Sequence, residues 1–231
     1  MTTLAAYGSV QHMAIYKYFT EEAHAQAFIK GELLLRPLSY FRALEAEEGV
    51  RGDANDGTLT YTRPGGIDVT IVGDGRVEKI HSFEAAANDD IFVFCASNSL
   101  CADLAKDFGP ICVELSDPES IVARLKRRAC RKSRFDYEQI ISGPVDYRPP
   151  EREPGIEWAL PEKLTLMKPP SFAGQDEFRI AVGTRSAFDA ENVGLKIQFQ
   201  PGQPAPRAAP AQTHIILSVG SLEEFTTVHV F

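Results

Sequence analysis

The segment Gly174-Gln175-Asp176-Glu177-Phe178-Arg179-Ile180-Ala181-Val182 is a polar loop that runs into an apolar stretch. From residue 177 onward, large apolar side chains alternate with the others, which is the period of a β-strand. Glu177 is therefore expected on the sheet face opposite Phe178, Ile180 and Val182, and Gln175 shares its parity. A polar loop before an ordinary edge strand gives the same pattern, so a functional interpretation needs a second element elsewhere in the chain.

Composition indicates one globular domain over residues 1–231. The chain has 44% hydrophobic and 10% aromatic residues, enough for one substantial core. No apolar run approaches the ~20 residues that span a bilayer, and the first eight residues lack the charged and apolar regions of a signal peptide. We therefore expect a cytoplasmic protein with no membrane partner.

The cysteines and histidines do not form a metal-binding pattern. The four cysteines have no CxxC spacing, and the five histidines are scattered along the chain. This distribution argues against a disulfide scaffold and against a zinc site. We expect free, buried thiols and no metal.

A basic run stands out in a chain whose net charge is −8. Residues 124–134 carry seven basic side chains and no acidic one, and Asp117-Pro118-Glu119 before them predicts the start of a helix over residues 118–134. The acidic remainder argues against binding a duplex with the whole surface, but a local patch can meet phosphates, an acidic partner or the protein's own acidic surface. The candidate contacts are Arg124, Arg127, Arg128 and Arg131.

The order of elements predicts an α+β fold with mostly antiparallel or mixed sheets and two to three helices, since strands and helices do not alternate regularly. Pro64-Gly65-Gly66 and Gly73-Asp74-Gly75 predict a meander of three strands over residues 58–81. The Pro/Ala-rich residues 201–211 indicate a flexible loop. A single core is expected to contain Val93, Phe94, Val113, Phe178, Ile180 and Val182.

Four segments follow one another in a distinctive order, namely Ile15-Tyr16-Lys17-Tyr18, Ile29-Lys30-Gly31-Glu32-Leu33, Cys95-Ala96-Ser97 and Gln175-Asp176-Glu177. Taken together they resemble the ADP-ribosyltransferase fold, in particular DarT-like toxins and their uncharacterised bacterial relatives. In that pattern a first-strand residue precedes a helix and a GxL sequence, and a Gln-x-Glu opens a late strand. The pattern covers residues 13–183, and its closest correspondence is at Gln175 and Glu177.

The resemblance implies a cleft between two small sheets that binds NAD as a substrate, in a toxin or phage-defence effector. Glu177 would hydrogen-bond the nicotinamide ribose and stabilise positive charge as the glycosidic bond breaks, with no metal required. The first strand carries Lys17 and Tyr18 where such enzymes usually present histidine or arginine. The roles implied for the other residues are Gln175 for the acceptor or ribose, Lys17 or Tyr18 and Ser97 around NAD, Tyr40 against the nicotinamide, and Arg51 on a phosphate.

Two other classes of function remain open at this point. One is a non-catalytic binding or immunity-type module that holds nucleic acid or an acidic partner with the basic helix. The other is a related enzyme of the same broad fold, such as an NAD glycohydrolase or an RNA phosphotransferase-like protein. Convergence of Glu177, Lys17 and Ser97 in an open cleft favours an enzyme, whereas dispersed positions favour the binding module.

Overall fold

The computed structural model describes residues 14–44, 55–132, 134–136, 139–200 and 214–231. These residues form an α+β fold of mostly antiparallel strands, which confirms the predicted class. They include five α-helices, more than the two or three expected, because two short helices lie in segments that look irregular in the sequence. The elements are β1 Ile15–Phe19, α1 Glu22–Ile29, β2 Glu32–Pro37, α2 Leu38–Leu44, β3 Thr58–Thr70, β4 Val77–Ala86, β5 Ile91–Ser97, α3 Ala102–Phe108, β6 Ile111–Leu115, α4 Pro118–Ala129, β7 Ile141–Pro144, β8 Asp146–Tyr147, α5 Pro161–Thr165, β9 Met167–Lys168, β10 Glu177–Gly183, β11 Gly194–Gln198, β12 Ile215–Ser218 and β13 Thr226–Val230.

The main sheet has eight strands. Six follow the order β12-β2-β5-β1-β6-β13, while β10 also pairs with β5, and β7 pairs with β10. Strand β10 pairs with β5 over its whole length, from Glu177 opposite Ser97 to Gly183 opposite Ile91. All pairings in this sheet are antiparallel. Strand β10 is therefore an interior strand between β5 and β7, and the edge-strand interpretation of its sequence is wrong.

The second sheet has three strands in the order β11-β4-β3. The predicted meander over residues 58–81 is wrong at its first turn, because Pro64-Gly65-Gly66 lies inside β3 as an irregularity and does not form a turn. The predicted turn at Gly73-Asp74-Gly75 is confirmed, since it connects β3 to the antiparallel β4. The pairing register of β3 and β4 shifts between Thr62 and Ile67, where Gly65 and Gly66 both have φ of 87°. A positive φ is available to glycine at little cost, so the strand passes through this point with a bulge.

The two faces of the main sheet pack into separate hydrophobic cores. Helices α1 and α4 cover one face, where Phe94, Ile180 and Val182 are buried. The small sheet, α5 and Trp158 cover the other face, which buries Val93 and Ala181. The prediction of one core is therefore wrong for Val93, which does not share a core with Phe94, because neighbouring residues of a strand point to opposite faces.

One edge of β5 is shared between two strands that diverge. Strand β1 pairs with β5 only at Tyr16–Ser97, whereas β2 pairs with it at Arg36–Val93 and at Pro37–Phe92. Within the described residues, positions 94–96 have no strand partner on this side. The main sheet is thus split between β1 and β2.

Helix α4 begins as predicted, since the Asp117 carboxylate accepts a hydrogen bond from the Ser120 N–H at 3.0 Å. It ends at Ala129 and not at residue 134, so Arg131 lies beyond its last turn. Arg51 and residues 201–211 lie outside the described residues. Among the described helices, none has the length and apolar character needed to cross a membrane.

Candidate functional site

A cavity of about 590 Å³ lies at the split between β1 and β2. Its lining comes from α1, β1, β2, α2, β5, α3, β9, β10 and β12, so segments far apart in the sequence meet there. The volume is in the range of small-molecule sites. Six of the seven predicted site residues line it, namely Lys17, Tyr18, Tyr40, Ser97, Gln175 and Glu177.

The Glu177 carboxylate lies in a buried network of charges. Arg179 Nε donates to Glu177 Oε1 at 2.7 Å, and Lys168 Nζ lies 2.8 Å from Glu177 Oε2. Arg179 also binds the Asp56 carboxylate through both of its terminal nitrogens, at 2.7 and 2.8 Å. All four side chains are almost fully buried, and their formal charges cancel.

This network keeps Glu177 ionised. Burial alone would raise the pKa of its carboxyl group, but the charges of Arg179 and Lys168 outweigh burial and hold the pKa well below its usual range. Burial likewise opposes the charge of Lys168, yet the neighbouring Glu177 raises the pKa of that ammonium group. A permanently charged carboxylate therefore lies in the cavity wall.

The loop before Glu177 is fixed by Asp176, which takes a left-handed conformation with φ of 41°. The Asp176 carbonyl accepts a hydrogen bond from the Asn98 N–H at 2.7 Å, and its carboxylate accepts one from the Ser99 hydroxyl. Outside glycine, this conformation is uncommon and is best tolerated by Asp and Asn. The end of β5 thus clamps the turn that presents Gln175 and Glu177.

Ser97 and Tyr18 support this framework with their hydroxyl groups. The Ser97 hydroxyl donates to the Gln175 carbonyl at 2.9 Å and accepts from the Ser99 N–H at 3.0 Å. The Tyr18 hydroxyl accepts from the Cys101 N–H at 2.8 Å and donates to the Ser99 carbonyl at 2.9 Å, and burial raises the pKa of Tyr18 to about 12. Both hydroxyls are engaged by backbone groups, which indicates that they hold loops in place.

Lys17 occupies the split in the sheet. Its ammonium group donates to the Cys95 carbonyl at 2.6 Å and lies 5.1 Å from the centre of the Phe94 ring. Burial lowers the pKa of Lys17, and the charge of Glu177 acts in the opposite direction. Lys17 therefore meets a backbone acceptor of β5 at a point where β1 and β2 have diverged.

The cavity combines cationic groups with aromatic walls, as a site for an anionic ligand with planar rings would. Lys17, Arg36 and Lys168 all line it, and the Arg36 guanidinium lies 4.2 Å from the centre of the Tyr40 ring. One face of Tyr40 is covered in this way. The other aromatic side chains of the lining are Tyr16, Tyr18, Phe19, Phe28, Phe41, Phe94 and Phe108.

Four residues that bind Glu177 or hold it in position were not predicted from the sequence. They are Asp56, Lys168 and Arg179 in the charge network, and Tyr147, whose hydroxyl accepts a hydrogen bond from the Glu177 N–H at 2.8 Å. Arg179 carried one usable signal, because an arginine two residues after Glu177 in an interior strand must be buried on the same face and needs acidic partners. The other three had no local signal.

The basic surface at the end of α4 differs from the prediction in one respect. Arg124 is engaged, since it pairs with the Glu224 carboxylate at 2.8 Å and its guanidinium lies 5.0 Å from the centre of the Phe225 ring. Arg127, Arg128 and Arg131 are exposed, as are Lys126 and Lys132, and no carboxylate among the described residues lies within 4 Å of their charged groups. We refer to these five side chains as the basic patch.

The described residues contain no group of three or more histidine, cysteine and acidic side chains that could hold a metal ion. The four cysteines are free thiols. Comparison of the chain with protein-family models, with curated proteins and with solved structures gives no match.

Proposed function

We propose that the protein is an ADP-ribosyltransferase-like enzyme that uses NAD as its substrate and modifies a protein or nucleic-acid acceptor. One observation carries this proposal: Gln175, Glu177, Lys17 and Tyr40, drawn from β1, α2 and the start of β10, line a single cavity. The cationic and aromatic lining suits a ligand that carries phosphates and planar rings.

In the proposed reaction, the bond between the nicotinamide nitrogen and ribose C1′ breaks, and its electron pair leaves with nicotinamide. A nucleophile of the acceptor then bonds to C1′ and releases its proton to water. Glu177 stabilises the positive charge that develops on the ribose, because its depressed pKa keeps it ionised. Lys17 binds a phosphate, Gln175 orients the acceptor or the ribose, and Tyr40 stacks on nicotinamide.

The test is a Glu177→Gln substitution, which keeps the size of the side chain and removes its charge. Purified protein is incubated with NAD and a bacterial lysate, and both nicotinamide release and labelling of an acceptor are measured. We expect the rate to fall by roughly 10²-fold or more, the scale found when such an electrostatic group is lost. Glu151→Gln is the matched control, since Glu151 is exposed and lies outside the cavity lining.

The proposal is wrong if NAD neither binds nor is consumed with any lysate. Release of nicotinamide without a labelled acceptor would instead support the NAD glycohydrolase alternative, in which water attacks C1′. Circular dichroism of both variants shows whether a loss of activity reflects a loss of fold.

The second candidate is a non-catalytic module that holds nucleic acid or an acidic partner, and the basic patch favours it. Replacing Arg127, Arg128 and Arg131 with alanine should weaken binding to a nucleic-acid target and reduce the salt slope of the affinity by about 0.7 to 0.9 per lost phosphate contact. Arg124→Ala is the control, because Arg124 binds Glu224 and the Ser221 carbonyl within the protein. An unchanged salt slope in the triple variant would contradict this candidate.

The proposal includes the cytoplasm as the place of action and a role as a toxin or phage-defence effector. The effector role rests on the resemblance. The cytoplasm is supported by the four free thiols, which are typical of a reducing compartment.

A further inference from the structure

The Asp56 carboxylate is fully buried and is held by a residue 123 positions later in the chain. Both of its oxygens accept hydrogen bonds from Arg179, at 2.7 and 2.8 Å, in a bidentate pair. A bidentate guanidinium–carboxylate pair sets the plane of the arginine as well as its distance. Asp56 therefore orients Arg179.

The remaining hydrogen bonds of Arg179 leave no freedom for its guanidinium. Nε donates to Glu177 Oε1 at 2.7 Å, one terminal nitrogen also reaches Glu177 Oε2 at 3.3 Å, and the other donates to the Thr165 carbonyl at 2.7 Å. With the two bonds to Asp56, all five N–H groups of the guanidinium are used. The position of the Glu177 carboxylate is thus coupled to that of Asp56.

We propose that Asp56 is a positioning residue for Glu177 and acts through Arg179, an inference whose catalytic part rests on the proposed function. Asp56 does not line the cavity, so it has no contact with a ligand there. Its charge offsets that of Arg179, and this leaves Glu177 to be balanced by Lys168 at the cavity wall. Without the Asp56 charge, Arg179 loses its fixed plane and Glu177 loses its fixed orientation.

The direct test follows the Arg179 Nε–H group by ¹⁵N NMR in the full-length protein. This N–H donates only to Glu177, so its exchange with water reports that one hydrogen bond. Its signal is assigned by its disappearance in the Arg179→Lys spectrum. In Asp56→Asn we expect the Nε–H to exchange at least about tenfold faster than in the parent, and an unchanged exchange rate would overturn the proposal.

The second measurement compares NAD affinity with turnover, and it separates an effect on the position of Glu177 from an effect on ligand binding. Because Asp56 lies outside the cavity, Asp56→Asn should keep NAD affinity within about threefold while turnover falls by about tenfold or more, since a small misplacement of a reacting group has a large kinetic cost. An unchanged turnover would overturn the proposal, as would a loss of affinity as large as the loss of turnover. If the parent does not turn over NAD at all, the proposed function fails and the Nε–H measurement alone decides whether Asp56 positions Glu177.

Two further variants complete the design. Asp146→Asn is the matched control, because Asp146 accepts a hydrogen bond from Arg148 Nε at 2.7 Å in a half-exposed pair outside the cavity, and it should change neither reading. If Asp56→Asn does not fold, Asp56→Glu replaces it, since that variant keeps the charge and displaces it by one methylene group. The Nε–H exchange rate and the comparison of NAD affinity with turnover are then measured on Asp56→Glu, and the same results support or overturn the proposal.

Discussion

Replacing Arg179 with methionine should destabilise the protein strongly at neutral pH. The substitution removes the guanidinium with its five hydrogen bonds, and it leaves Asp56 and Glu177 buried with Lys168 as the remaining cation. Removing one partner of a buried ion pair costs about 3–5 kcal/mol, because the other charge stays buried without compensation. We expect the free energy of unfolding at pH 7 to fall by about that amount.

The pH dependence of this effect has a definite sign. In the parent, the pKa of Glu177 lies below its unfolded value, so its stabilising contribution is complete above the unfolded pKa and is lost as pH falls through the folded pKa. In the Arg179→Met variant, Glu177 lacks the guanidinium charge that lowers its pKa, so less of this stabilising contribution remains to be lost as pH falls. The difference between the two proteins should therefore narrow below about pH 5.

Urea unfolding followed by tryptophan fluorescence measures both effects. Trp158 is the only tryptophan, and it is buried with its ring stacked on Phe83. With a slope of about 2–3 kcal/mol per molar urea, the expected loss of about 3–5 kcal/mol lowers the unfolding midpoint by about 1–2.5 M at pH 7. Leu125→Ala is the control, since a fully buried leucine loses about 2–5 kcal/mol without a titrating group. A midpoint shift under about 0.5 M, or a shift that does not narrow in acid, would refute the reasoning.

Three further predictions concern the cavity, the backbone and the thiols. Lys17→Met should weaken NAD binding about 10–100-fold in calorimetry, the scale of one charged hydrogen bond, whereas Lys17→Arg should retain most of the affinity. Gly31→Ala should lower the urea midpoint far more than Gly75→Ala, because a Cβ at Gly31 would lie 1.9 Å from the Gly220 carbonyl oxygen whereas Gly75 faces open space. Gly75→Ala should cost roughly 1–2 kcal/mol, the cost of a left-handed conformation for alanine. An aromatic disulfide reagent should label Cys130 fastest in the native protein, since it alone of the four thiols is exposed, and should label the buried Cys112 only after unfolding.

The face on which Glu177 lies could be predicted from the sequence, because the alternation of a strand is a local property. The same rule, applied to neighbouring residues of β5, would have separated Val93 from Phe94, and our prediction of one core neglected it. Convergence of the predicted residues at one cavity required the order of all the elements and not any single motif.

The charge network could not be predicted, because its partners are distant in sequence and none has a distinctive neighbourhood. Asp56 lies next to a glycine in a segment typical of a turn, and nothing near it indicates a buried carboxylate. The residues Pro64-Gly65-Gly66 also predicted a turn wrongly, because pairing with β4 on both sides of the glycines keeps the chain in one strand. In both cases a tertiary contact overrides the local signal.

The divergence of β1 and β2 has a consequence for ligand binding. Among the residues that the structure describes, no strand pairs with positions 94–96 on this side of β5. A molecule that binds in this gap and contacts both β1 and β2 would therefore connect two strands that are not hydrogen-bonded to each other there. Such a ligand would link β1 to β2 only while it is bound. At a hundredfold excess over its Kd it adds about 2.7 kcal/mol to the stability of the protein. Slower amide hydrogen exchange along both strands at once, and not along β13 at the far edge, would be the mark of a ligand that occupies the split.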